Sequence, residues 1–153
     1  MATSLRQSYD RTDAAPALRQ AKNVQPPLVL VVEDHDDTRF LLTYLLEMRG
    51  CRVELAADGE AAVCAAEKLR PDLILMDASL PRLDGLAATR RIRGTPALAC
   101  VPIVFLSGDA HPSFRAVALE TGGNDYLIKP FEIDQLERVL ERHLAKCSTV
   151  EAK

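Results

Sequence analysis

Apolar and polar positions change period several times along the chain, and each change marks an element. Leu28-Val29-Leu30-Val31-Val32 is an uninterrupted apolar, largely β-branched run, the pattern of a strand covered on both faces. Leu41, Leu45 and Met48 then recur at helical spacing with Phe40 and Tyr44 beside them, and Gly50 stands where such a helix ends. Arg52–Ala56 reads as a second strand. Asp58 is placed to cap an Ala-rich helix running to Leu69, which Pro71 stops. Leu73-Ile74-Leu75-Met76 is a third strand ending at Asp77, followed by a loop punctuated by Pro81 and Gly85 and by a helix from about Leu86 to Arg93. Ile103-Val104-Phe105-Leu106 is a fourth strand, Pro112–Thr121 a helix halted by Gly122-Gly123, and Tyr126-Leu127-Ile128 a short fifth strand. Ile133, Leu136, Val139, Leu140 and Leu144 stripe a final helix expected to end near Lys146. Strands alternating with helices imply right-handed βαβ crossovers and a doubly wound parallel α/β sheet covered on both faces. In such sheets chemistry gathers beyond the carboxyl ends of the strands.

Composition narrows the class. At 153 residues the chain has one domain's length, and 48% hydrophobic with 27% charged residues is ordinary for a globular protein. A net charge of -3 argues against a surface built for nucleic acid or anionic lipid. No apolar run is long enough to span a bilayer, and the N-terminus lacks an apolar signal core, so a cytoplasmic protein is expected. Cys51, Cys64, Cys100 and Cys147 form no paired or metal-binding spacing and read as reduced thiols, Cys51 and Cys64 as small apolar residues within packed elements. Residues 1–27 have no clear period and end in Pro26-Pro27. They read as a mobile leader or, alternatively, one with a short helix around Ala14–Lys22. Their four basic residues (Arg6, Arg11, Arg19, Lys22) outnumber two acids (Asp10, Asp13), so the folded part, residues 28–147, is more acidic than the whole; 148–153 form a short C-terminal tail.

The strand ends carry the candidate chemistry. The first ends in Glu33-Asp34, the third in Asp77, the fourth in Ser107 and the fifth in Lys129-Pro130. A parallel sheet brings these to one edge: three carboxylates, a hydroxyl and an ammonium. Clustered carboxylates repel unless neutralised, and one dication together with Lys129 balances the three charges. Oxygen ligands suit a hard ion such as Mg²⁺, and a cation and an ammonium around a carboxylate is the arrangement that phosphoryl transfer requires. Singly, each residue has an ordinary explanation: a helix cap for Glu33-Asp34, a strand end for Asp77, a surface position for Lys129. Asp84, Asp36 and Asp37 read as helix-cap residues rather than ligands. His143 lies on the last helix, His111 just before Pro112, and His35 beside the acidic pair with its ring toward solvent, placed at most to tune the site electrostatically. No glycine-rich nucleotide loop is present.

VVEDHDDTR, LILMDASLPRLDG, VFLSGDA and GGNDYLIKPF, in that order over about Leu28 to Lys146, resemble the motifs of receiver domains of two-component response regulators. The resemblance implies a flavodoxin-like (βα)5 fold with strand order 2-1-3-4-5 and a phosphoryl group accepted from a histidine kinase or histidine phosphotransfer protein. On it, Asp77 corresponds to the phosphorylated aspartate, Asp34 to a direct metal ligand, Glu33 to an acid acting through metal-bound water, and Ser79 to the position whose carbonyl meets the metal. Ser107 and Lys129 correspond to the groups that bind phosphoryl oxygens, Tyr126 to the aromatic switch, and Lys129–Pro130 to a cis peptide. The implied cofactor is Mg²⁺, with Mn²⁺ able to substitute. The implied output is altered binding of a downstream protein, with no direct nucleic acid contact or membrane insertion, by a monomer or weak homodimer that turns over only its own aspartyl phosphate. Two other classes compete. Aspartyl-phosphate hydrolases place a second acid two residues beyond the nucleophile, where this chain has Ser79, and a constitutive scaffold would not need the full set Glu33, Asp34, Asp77, Ser107 and Lys129. Too few residues follow the last helix for an output module, so signalling is expected through non-covalent partners or a phosphorelay if this is the natural chain, and through an output part cut away if it is an excised piece.

Overall fold

The computed structural model describes residues 25–152, with side chains to residue 144. Five strands, β1 (Leu28–Val32), β2 (Arg52–Ala56), β3 (Leu73–Asp77), β4 (Ile103–Ser107) and β5 (Asp125–Ile128), form one sheet in the order β2-β1-β3-β4-β5. All pairings are parallel. The helices are α1 (Asp36–Met48), α2 (Gly59–Leu69), α3 (Gly85–Arg93), α4 (Pro112–Thr121) and α5 (Ile133–Ala152). A single 3₁₀ turn at Pro96–Leu98, which no periodicity announces, leads into β4.

Every residue of β1, β3 and β4 is buried, as their unbroken apolar runs require. The two-residue alternation of side chains then divides the interior. Val29, Val31, Leu73, Leu75, Val104 and Leu106 face α1 and α5, whereas Leu30, Val32, Ile74, Met76, Ile103 and Phe105 face α2, α3 and α4. Asp58 and Asp84 cap α2 and α3 by accepting the backbone N–H of Ala61 and Ala87, each at 2.8 Å. Arg93 ties the end of α3 to the Gly122 and Leu98 carbonyls and to Asn124, whose Oδ1 also accepts the Ile103 N–H at the start of β4.

Four sequence expectations change. The face of α1 buried in the core is Leu42 and Leu46, with Leu45 half-buried; Phe40, Leu41, Tyr44 and Met48 are exposed. This helix is apolar almost all round, so periodicity alone does not set its phase, and the loop from β1 does. α5 runs to Ala152, past the end expected near Lys146, because nothing from Cys147 to Ala152 breaks a helix. The leader reading falls on residues 1–24, outside the described residues, but Pro26 and Pro27 already belong to the fold: their carbonyls accept Arg52 Nε and the Arg52 N–H. Cys64 is exposed, as is Cys100; Cys51 alone of the described cysteines is buried, because α2 turns Ala62, Val63 and Ala66 inward instead. Among the described residues no helix is long and apolar enough to cross a membrane.

The corrected phase of α1 is testable by urea unfolding. Leu46→Ala should cost about 2–4 kcal/mol, as for a buried leucine, and Met48→Ala no more than about 0.5 kcal/mol; the reverse order would restore the face read from periodicity.

Candidate functional site

Sheet register gathers the strand-end residues. Val32 pairs with Met76, Asp77 with Leu106 and Ser107 with Ile128, so Glu33, Asp77, Ser107 and Lys129 all lie at the carboxyl edge. The approach of α3 to this edge depends on Gly85, where a Cβ would stand 2.3 Å from the Asp77 carbonyl oxygen. No larger residue allows the helix to start so close beneath Asp77.

At the centre is Glu33, whose carboxylate has no solvent exposure. One oxygen, Oε1, accepts from Lys129 Nζ at 2.6 Å, and the other, Oε2, meets the His35 N–H at 3.2 Å and His35 Nδ1 at 3.1 Å. Lys129 Nζ also reaches Asp77 Oδ2 at 3.3 Å, while Asp77 Oδ1 accepts the Ser79 N–H at 3.0 Å. The Lys129–Pro130 peptide bond is cis. Burial opposes ionisation of Glu33, but the bonds from Lys129, Asp77 and His35 outweigh it and hold its carboxyl below the usual range. Asp77 is pushed the other way, up to about 6, by burial first and by Glu33 beside it, against the Ser79 N–H and Lys129. Burial also disfavours the Lys129 charge, yet its bond to Glu33 and the charge of Asp77 raise it above the ordinary lysine value.

Carboxylate oxygens of Glu33, Asp34 and Asp77 and a ring nitrogen of His35 lie within 4.8 Å of one another. Three carboxylates against one ammonium leave a net negative cluster, and its oxygen donors fit a hard dication. Ser107 and Tyr126 are both buried and both bond to Asp109. Ser107 Oγ accepts the Asp109 N–H at 3.0 Å, and Tyr126 donates its hydroxyl to the Asp109 carbonyl at 2.6 Å while packing edge-on against Phe114. Asp109 was not singled out by the sequence, since it contributes only backbone to these bonds and any residue type could do so.

A family model for the response regulator receiver domain matches residues 29–141. The chain belongs to the response regulator receiver family. It is 42% identical to the receiver domain of a Pseudomonas aeruginosa sensor histidine kinase, whose crystal structure holds a magnesium ion in its active-site cleft. That likeness covers 78% of this chain and 98% of the other, with a TM-score of 0.74. An uncharacterized 14.6 kDa protein of Leptolyngbya boryana is 35% identical over 75% of this chain and 88% of its own length. The phosphate regulon transcriptional regulatory protein PhoB of Rhizobium meliloti is 36% identical over 72% of this chain. The chain spans 48% of PhoB's length, so it matches about half of that regulator. Receiver domains are phosphoacceptor switches that work with histidine kinases and downstream effectors.

The remaining candidates resolve simply. Asp84 caps α3, and Asp36 and Asp37 occupy the first turn of α1, whose N-cap is His35. His111 caps α4 by accepting the Ser113 N–H at 3.1 Å, and the buried His143 pairs with Asp125 at 3.0 Å. His35 faces solvent, as the sequence reading has it, and also touches the acidic pair. Its side chain is 74% exposed, yet the ring edge bearing Nδ1 lies 3.1 Å from Glu33 and 3.2 Å from Asp34. These contacts, the bond to Glu33 first, raise its pKa above the ordinary histidine value.

The raised pKa of Asp77 has a signed consequence for the metal-free receiver. The native state retains a proton on Asp77 that the unfolded chain gives up near pH 4, so this site's contribution falls as pH rises from about 4 to 6 and is lost above that. Asp77→Asn removes the penalty. In chelator, its unfolding free energy should exceed the parent's by on the order of 1–2 kcal/mol at pH 7, and the gap should narrow toward pH 4. A gap independent of pH would show that Asp77 is not the group that titrates.

Proposed function

We propose that Asp77 accepts a phosphoryl group from the phosphohistidine of a histidine kinase or phosphotransfer protein, and that this changes the affinity of the α4–β5–α5 face for a downstream protein. The supporting observation is Lys129 Nζ, held by the fully buried Glu33 at 2.6 Å within 3.3 Å of Asp77 Oδ2. Glu33, Asp34, Asp77 and the Ser79 carbonyl would hold Mg²⁺, with Mn²⁺ as a substitute. Such an ion supplies the positive charge that allows an anionic phosphoryl group to approach three carboxylates.

The chain's own groups do the rest. An Asp77 oxygen attacks phosphorus as the phosphorus–nitrogen bond of the donor breaks, and the departing imidazole keeps the electron pair and takes up a proton. Lys129, already aimed at the same carboxylate, pairs with an equatorial phosphoryl oxygen. Ser107 accepts from the Asp109 N–H but still has a hydroxyl proton to donate to a second phosphoryl oxygen. A pull on Ser107 would act on Asp109, and through its carbonyl on Tyr126. Tyr126 is itself buried, at 6% exposure. A coupling of about 1–3 kcal/mol would change partner affinity roughly 5- to 150-fold. The effector is a protein rather than nucleic acid, met in the cytoplasm by a monomer or weak homodimer.

Incubation with a small phosphodonor and Mg²⁺, followed by intact-mass measurement, tests the reading. The parent should gain one phosphate and Asp77→Asn none, and Lys129→Ala should slow the reaction about 100-fold, as for loss of one transition-state charge donor. Undiminished phosphorylation of Asp77→Asn would refute the assignment.

A further inference from the structure

The His35 ring is the one nitrogen donor in an otherwise oxygen-lined cluster. It follows the acidic pair directly and caps α1, so the turn from β1 fixes its backbone, and its own N–H bonds back to Glu33 Oε2 at 3.2 Å. Nδ1 lies 3.1 Å from Glu33 Oε2 and 3.2 Å from Asp34 Oδ1, and a ring nitrogen of His35 shares the 4.8 Å cluster with Asp77. Ligands of one transition-metal dication stand about 2.0–2.2 Å from it, and so at most about 4.4 Å from each other; these four donors need to draw together only slightly. Lys129 bonds the other oxygen of Glu33, Oε1, so the Glu33 oxygen beside His35 is not the one it holds. The high solvent exposure of the side chain leaves room for the second ring nitrogen to carry the proton into water while Nδ1 presents its lone pair.

We propose that His35 is a ligand that gives this site selectivity for a borderline transition-metal dication of the Co²⁺, Ni²⁺ or Zn²⁺ class over Mg²⁺. The inference rests on the receiver reading of the same site, in that Glu33, Asp34 and Asp77 are its oxygen ligands. Imidazole binds such ions well, whereas Mg²⁺ takes oxygen ligands and keeps its waters. Mg²⁺ would therefore leave His35 outside its coordination sphere, while Co²⁺ would exchange a bound water for Nδ1. The ion present would then depend on the metals available around the protein, and His35 is the residue that makes the site responsive to them.

The experiment titrates the full chain with Co²⁺, read by its visible absorption, and with Mg²⁺, read by its displacement of Co²⁺. Only Co²⁺ that Mg²⁺ displaces counts, which sets aside ions held by the exposed Cys64 and Cys100. His35→Ala and His35→Gln should each lower the ratio of Co²⁺ to Mg²⁺ affinity at least about tenfold, since even groups one shell beyond a ligand cost that much when removed. They should also weaken the visible bands of nitrogen-bound Co²⁺. An unchanged ratio with Mg²⁺ still binding would overturn the role of His35 and leave the receiver reading standing. Failure of the parent to bind either ion saturably would overturn both.

Discussion

A carboxylate sealed from solvent is the constraint on which this site depends. Glu33 sits at the end of β1 with zero exposure, and a charge there is tolerable only if both oxygens are paired. Lys129 takes one and His35 the other. The bond to Lys129 crosses 96 positions of sequence and joins the first strand end to the last. Glu33 holds the shared lysine more closely and stays ionised, while burial and the neighbouring Glu33 drive Asp77 toward protonation against the pull of Lys129. A buried charged pair of this kind contributes little net stability, but removing one partner leaves the other stranded. Its value lies in position.

The fold exists, in functional terms, to deliver these ends to one place. Three central strands that are apolar on both faces have no choice but to be covered by helices on both sides, and parallel strands then put every carboxyl end on the same edge. Gly85 brings α3 against the Asp77 backbone. Close by, Ser107 and Tyr126 converge on the N–H and carbonyl of one residue, Asp109.

Strand positions and strand-end chemistry were legible because both are local: a five-residue apolar run announces a buried strand, and the polar residue that ends it must lie at the edge. The phase of α1 was not, because Phe40, Leu41, Leu42, Tyr44, Leu45, Leu46 and Met48 offer an apolar residue to almost any direction. The extent of α5 escaped for the opposite reason, since the stretch after Lys146 carries neither a periodic stripe nor a stop signal. His35 was read as solvent-facing, and most of its surface is; one ring edge nonetheless meets two carboxylates, a contact set by the turn after β1 that no spacing rule encodes. Asp109 meets Ser107 and Tyr126 through its backbone, which sequence does not distinguish.

The most direct test of the Glu33–Lys129 pair as organiser is a double-mutant cycle of Glu33→Gln and Lys129→Met, measured as unfolding free energy in chelator at neutral pH. If the buried bond holds the cluster together, each single substitution destabilises the protein, and the double variant is less destabilised than their sum by about 1–3 kcal/mol. Additive losses would contradict it, because the two groups would then be neighbours without being partners.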